Sequence, residues 1–145
     1  VVAIHLAEVA SGPVHPVDRV EAVAGAGLRG DRYFEPGAAP ERHLTLIESE
    51  ELERLAREDG IALAPGESRR QVTTRGVRLN PLVGRRFRVG PVECRGIELC
   101  EPCNDLQKMV GNLGLMRAFA HRAGLNAEII SGGEIAVGDP IELLD

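Results

Sequence analysis

The sequence predicts a mainly β protein, a β-barrel with a few α-helices, and three observations carry that expectation. Many short runs rich in Val, Ile and Leu are separated by Gly, Pro and Asn turn residues. Only two stretches repeat their apolar residues at helical spacing. Regular β-α alternation, the mark of a doubly wound sheet, is missing, so a closed or partly closed barrel is favoured.

Val1 to Val9 has the apolar, β-branched character of a strand and is stopped by Ser11-Gly12-Pro13. Val17, Val20 and Val23 are read as a second strand, ended by Gly25-Ala26-Gly27. Gly30-Asp31-Arg32-Tyr33 follows, and a Pro/Gly/Ala loop through Pro40 is expected to be the most mobile segment. His43 to Ile47 alternates as a strand. Ser49-Glu50-Glu51 then opens a helix with Leu52, Leu55 and Ala56 on one face, its acidic first turn suited to the helix dipole, and Gly60 ends it. Arg70 to Thr74, Arg86 to Val89 and Val92 to Leu99 read as three further strands. After Cys103, Leu106, Met109, Val110 and Leu113 repeat at three- and four-residue spacing; Leu115, Met116 and Phe119 continue past a break at Gly111 to Gly114, with Gly124 as the stop. Asn126 to Ile130, Ile135 to Val137 and Pro140 to Leu144 close the chain with short strands around Gly132-Gly133.

At 145 residues the chain has room for one core, and residues 1–145 are read as a single domain. Its 43% hydrophobic and 27% charged content is that of an ordinary globular protein. With no Trp, one Tyr and three Phe, stacking platforms for bases are nearly absent, and a net charge of −5 opposes a polyanion, so no nucleic-acid partner is expected. Charge is unevenly spread: Arg69 to Arg88 holds seven arginines and no acidic residue, whereas Glu48 to Glu58 is acidic. One face is thereby suited to a small anion. No apolar run approaches the roughly 20 residues that cross a bilayer, and the first residues lack a basic region followed by an apolar stretch. No membrane association and a cytoplasmic location are expected.

Three cysteines are too few for a disulfide framework. Cys94 lies within a strand and reads as a buried, inert thiol. Cys100-Glu101-Pro102-Cys103 precedes a helical stretch; at a helix start, free backbone N–H groups and the dipole favour a thiolate, while Asp105 opposes it. Thiolates serve sulfur nucleophiles and metal sites alike. A zinc site wants four ligands, and neither a second C-x-x-C nor close spacing among His5, His15, His43 and His121 supplies them. A thiol redox pair of Cys100 with Cys103 stays open. Two polar groups offer the rest of a site. Asp31 with Arg32 forms a fixed charge pair, with His43 and Thr45 on one strand face; Arg69, Arg70 and Thr73 offer donors for phosphate, sulfate or a pterin phosphate. The plainer alternative is a solvated outer face.

Taken in order, these segments resemble the MOSC domain, the C-terminal domain of molybdenum-cofactor sulfurases that also occurs as a stand-alone bacterial protein. The resemblance is carried by Gly27-Leu28-Arg29-Gly30-Asp31-Arg32, Arg42-His43-Leu44-Thr45-Leu46-Ile47-Glu48, and Arg69-Arg70-Gln71-Val72-Thr73-Thr74-Arg75-Gly76-Val77. It continues through Leu82-Val83-Gly84, Phe87-Arg88-Val89-Gly90, Cys100 to Cys103 and Gly133-Glu134-Ile135-Ala136-Val137-Gly138-Asp139. The resemblance implies a MOSC-like barrel whose cleft holds Cys103 as a molybdenum ligand or as a carrier of sulfur. In the ligand version Arg69, Arg70 and Thr73 hold the anionic pterin of a molybdenum cofactor, an electron-donor protein is the partner, and N-hydroxylated substrates are reduced. In the carrier version a separate cysteine desulfurase loads Cys103; no intrinsic pyridoxal phosphate is expected. Two positions depart from the family pattern: Gln71 stands where Asn is usual, and His43 where Gln is common. Outside the family, the residues also suit a non-catalytic β module that binds an anion or a protein.

Overall fold

A computed structural model describes residues 1–112 and 114–144, with the backbone alone at 104 and 105. Leu113, expected on the apolar face of the second helical stretch, lies outside the described residues. The strands are β1 (Ala3–Ala7), β2 (Val14–Val17), β3 (Arg19–Val23), β4 (Gly27–Leu28), β5 (Leu44–Glu48), β6 (Val72–Thr74), β7 (Arg86–Val89), β8 (Val92–Leu99), β9 (Leu125–Ser131), β10 (Gly133–Ala136) and β11 (Ile141–Leu143). The helices are α1 (Ser49–Asp59), α2 (Asn104–Val110) and α3 (Leu115–Phe119). The mainly β expectation holds.

Eight strands form a mixed sheet in the order β11-β7-β8-β9-β5-β6-β1-β2, and β10-β3-β4 form a second sheet. Among the described residues every strand pair is antiparallel except β5 with β6, where Leu46 faces Val72. The expected closed barrel is not seen among them: β11 and β2 are the edges of the large sheet, and no pairing joins them. The small sheet instead covers the large one. Val20, Ala22, Leu28 and Ile135 from it share a core with Leu44, Leu46, Val72, Phe87, Cys94 and Ala127.

β5 has apolar packing on both faces. Residues alternate along a strand, so Leu44 and Leu46 enter the core between the sheets. Ile47 points the other way, into a second core with Leu52 and Leu55 of α1, Leu106 of α2, and Leu115 and Phe119 of α3. Each of these side chains, once fully buried, contributes about 1.5–3 kcal/mol. Helix α1 follows the expected pattern; it buries Leu52 and Leu55 and ends at Gly60, whose left-handed φ of 68° lets its N–H reach the Leu55 carbonyl.

The stretch read as one strand through Val17, Val20 and Val23 is two. Residues three apart cannot share one face of a strand, and the chain changes sheets at Asp18: Val17 pairs with Ile4 of β1, whereas Val20 pairs with Ile135 of β10. The loop expected to be mobile is fastened by backbone bonds from Arg32 N to Ala7 O, Glu35 N to Ala26 O and Gly37 N to Gly25 O. A 3-10 turn over Pro40–Arg42 then leads into β5.

Candidate functional site

The residues entering β6 set up the site. A 3-10 turn over Pro65–Ser68 ends with Arg69 in the left-handed region, at φ 61°. That conformation disfavours a side-chain-bearing residue and is held by the surrounding structure. Arg69 and Arg70 are thereby turned to different tasks. The Arg69 guanidinium lines a cavity of about 360 Å³, and its Nη2 is buried without a hydrogen-bond partner among the described residues. Desolvation, and secondarily the positive charge of Arg32, push its pKa below the ordinary arginine value. A guanidinium nitrogen left buried without a partner is stabilised by an anion placed against it.

Arg70 is buried and points into backbone. Its Nε donates to Ala123 O at 2.7 Å, its Nη1 to Ser68 O at 3.3 Å, and its Nη2 to Cys100 O at 3.1 Å and Glu101 O at 3.2 Å. The loop that carries both cysteines is thus tied to the start of β6.

Cys103 is exposed and caps α2, its Sγ accepting the Leu106 N–H at 3.4 Å. Cys100 is half-buried and lines the same cavity. Burial pushes its thiol up, opposed by the charge of Arg70. Cys94 is buried in β8, where desolvation pushes its thiol up to about 12; it is an inert core residue, as its place in a strand suggests. The side chain of Asp105, expected to oppose a thiolate, lies outside the described residues.

Arg32, Tyr33 and Arg42 form another part of the lining. The Arg32 guanidinium lies 4.3 Å from the centre of the Tyr33 ring and Arg42 lies 5.5 Å from it. Arg32 also donates to the Tyr33 hydroxyl at 3.3 Å. Among the described residues, Arg32, Arg42, Arg69 and Arg70 line the cavity together with a single carboxylate residue, Glu41. The described lining thus carries more cations than anions, despite the overall negative charge of the chain.

Of the residues singled out from sequence, Arg32, Thr45, Arg69, Arg70 and Cys103 line this one cavity. Asp31, His43 and Thr73 are buried behind it and are not part of its lining. The Asp31 carboxylate accepts from Ala7 N at 3.0 Å, Tyr33 N at 3.2 Å and Gln71 Nε2 at 2.7 Å. His43 accepts the Ile129 N–H on Nδ1 at 3.1 Å, so its Nε2 carries the proton and donates to Ala38 O at 2.9 Å. Thr73 is fully buried in β6, and its Oγ1 has no partner among the described residues. Both family departures are thus occupied in holding backbone. Gln71 joins Asp31 to β5, accepting from Thr45 N at 2.9 Å, and His43 joins β9 to the loop before the 3-10 turn.

Sequence reasoning did not put Tyr33, Arg42 or Asn126 in the site. Tyr33 and Arg42 each adjoin a residue that was chosen, and the one tyrosine beside an arginine was the available signal. No group of three or more His, Cys, Asp or Glu residues suited to a metal occurs among the described residues.

A model of the MOSC domain family matches residues 31–142. No curated protein matches the chain. Among solved structures, the chain is similar to YuaD from Bacillus subtilis at 17% identity and a TM-score of 0.83, over 97% of this chain and 92% of that one. It is similar to YiiM from Geobacillus stearothermophilus at 16% identity and 0.77, over 99% and 74%. YiiM from Escherichia coli gives 19% and 0.72, over 100% and 71%. At these identities the likeness is one of fold.

Proposed function

Starting from the fact that the chain belongs to the MOSC domain family, we propose that it binds a molybdenum cofactor, or carries sulfur for one, through Cys103. One observation carries this reading: an exposed thiol and an arginine with a buried, unpaired N–H face the same cationic cavity. In the proposal Arg69, with Arg32 and Arg42 at the rim, holds the anionic groups of the pterin, and Cys103 provides one thiolate to the metal.

The donor set fits such a group. With one exposed thiol and no cluster of metal-binding side chains among the described residues, the chain suits a metal that arrives already held by an organic ligand better than a free ion. When bound, the cofactor would supply a centre that exchanges electrons and oxygen with a substrate, N-hydroxylated compounds in this reading, and an electron-donor protein would be the partner. In the carrier version the Cys103 thiolate attacks the outer sulfur of a cysteine desulfurase's persulfide, the donor's S–S bond breaks, and the desulfurase cysteine leaves as a thiolate. A barrel-like closure of the two sheets around their shared core and a cytoplasmic location belong to the same proposal.

The test is the mass and metal content of protein freshly purified from cells able to make the cofactor. Molybdenum and pterin in equal amounts with the chain are expected in the ligand version; a one-sulfur mass increase on Cys103 is expected in the carrier version. Cys103→Ser should abolish either. Absence of metal, pterin and added sulfur from active protein would overturn both and leave an anion-binding module, which the arginine cavity supports without any use of the thiol.

A further inference from the structure

The paired arginines are chemically alike and adjacent, yet the structure gives them opposite surroundings. A guanidinium has five N–H donors. In Arg70 the Nε bond, the Nη1 bond and the two Nη2 bonds occupy four of them, all on backbone carbonyls. Little remains to offer an anion, even though Arg70 lines the cavity. Arg69, in contrast, has a buried Nη2 with no partner among the described residues.

The carbonyls that Arg70 holds belong to three chain segments. Ser68 ends the turn before β6, Ala123 stands just before β9, and Cys100 and Glu101 lie in the cysteine loop. That loop is held elsewhere as well. Cys100 N donates to Gly124 O at 2.8 Å. The Glu101 carboxylate accepts from His121 N at 2.7 Å and contacts His121 Nδ1 at 2.7 Å. Pro102 is buried, and Cys103 follows as the cap of α2. The place where the thiol emerges is thus fixed two residues after the carbonyls that Arg70 grips.

We propose that Arg70 is a positioning residue for Cys103: it orders the Cys100–Cys103 loop so that the thiol faces the cavity, while Arg69 alone of the pair binds the anion. The proposal rests on the reading of Cys103 as the working thiol, and it changes the role of Arg70 within that reading. A planar fork is required for the task. A lysine keeps the charge but its single nitrogen cannot span carbonyls on three segments.

Three variants and two probes test it, with inorganic phosphate as the anion and iodoacetamide as the thiol reagent, alkylation at Cys103 being read by peptide mass mapping. Arg70→Lys should keep phosphate affinity within about threefold of the parent, whereas Arg69→Gln should lose about tenfold or more, the usual consequence of removing a charged hydrogen-bond donor. In Arg70→Lys the Cys103 alkylation rate should fall about threefold or more, because the released loop no longer presents the thiol to the cavity. Arg70→Ala should show the same fall, and added methylguanidinium should reverse it.

Parent-like alkylation in Arg70→Lys, or a phosphate loss equal to that of Arg69→Gln, would overturn the assignment. Loss of the folded state in both Arg70 variants would also overturn it, since the arginine would then be a core support rather than a loop clamp. If the parent binds no phosphate, the anion reading of the cavity fails, and the positioning role still stands or falls on alkylation and its rescue.

Discussion

At the scale of single residues, polar side chains that look alike in sequence divide by burial. Asp31, His43 and Thr73 have the residue types of a site, and alternation puts His43 with Thr45 on one strand face. Yet the Asp31 carboxylate is consumed by two backbone N–H groups and by Gln71. Sequence shows that a carboxylate and an amide exist; it does not show that they meet across forty positions. Gln71 is the joint: its Nε2 donates to Asp31, its Oε1 accepts from Thr45 N, and its own N–H donates to Thr45 Oγ1 at 2.9 Å. Gln71→Leu should therefore leave a buried carboxylate and a backbone N–H short of partners, at a cost of about 1–3 kcal/mol in urea unfolding. A change within a few tenths of a kcal/mol would mean that water replaces the amide freely. Cys103 was legible because its signal is local: a thiol placed directly before a helical repeat.

At the scale of elements, what depends on neighbours in sequence was readable and what depends on the pairing partner was not. Helix α1 and strands β7 and β8 follow from periodicity and turn residues. The division between β2 and β3 follows from two different partners, and the parallel pairing of β5 with β6 is created by α1 crossing between them. The β1–β2 hairpin carries a consequence for pH. His5 on β1 has its pKa lowered, first by desolvation and then by the nearby charge of His15 on β2, and its Nδ1 is buried without a partner among the described residues. A histidine whose folded-state pKa lies below its ordinary value of 6.5 binds fewer protons folded than unfolded in the interval between the two. Its contribution to stability is then full above pH 6.5 and is lost as the pH falls through the interval. The urea midpoint of the parent should fall on acidification below that value, and His5→Gln should flatten that part of the profile. An unchanged slope in the variant would locate the acid sensitivity elsewhere.

At the scale of the whole molecule, the question is whether two cores make one folding unit. The inter-sheet core holds Leu44 and Leu46, and the helical core holds Ile47; these are opposite faces of the single strand β5. Neither core can be exposed without releasing a strand that the other buries. The sheet adds to this linkage, since β1 pairs with β6, β3 with β10 and β5 with β9, all distant in sequence. Arg70 joins the helical side to the sheet through Ala123 and the cysteine loop. A chain connected in this way should unfold in one cooperative step. Tyr33, the only tyrosine in a chain without tryptophan, stands at the cavity rim and reports on that region by its fluorescence, while far-ultraviolet circular dichroism reports on sheets and helices together. Thermal transitions followed by the two signals should coincide, with equal calorimetric and van't Hoff enthalpies. If the Tyr33 signal changed before the dichroism, the cavity and its loops would open as a separate unit. The arginines and Cys103 would then meet only part of the time, and the site would have to be assembled by its ligand.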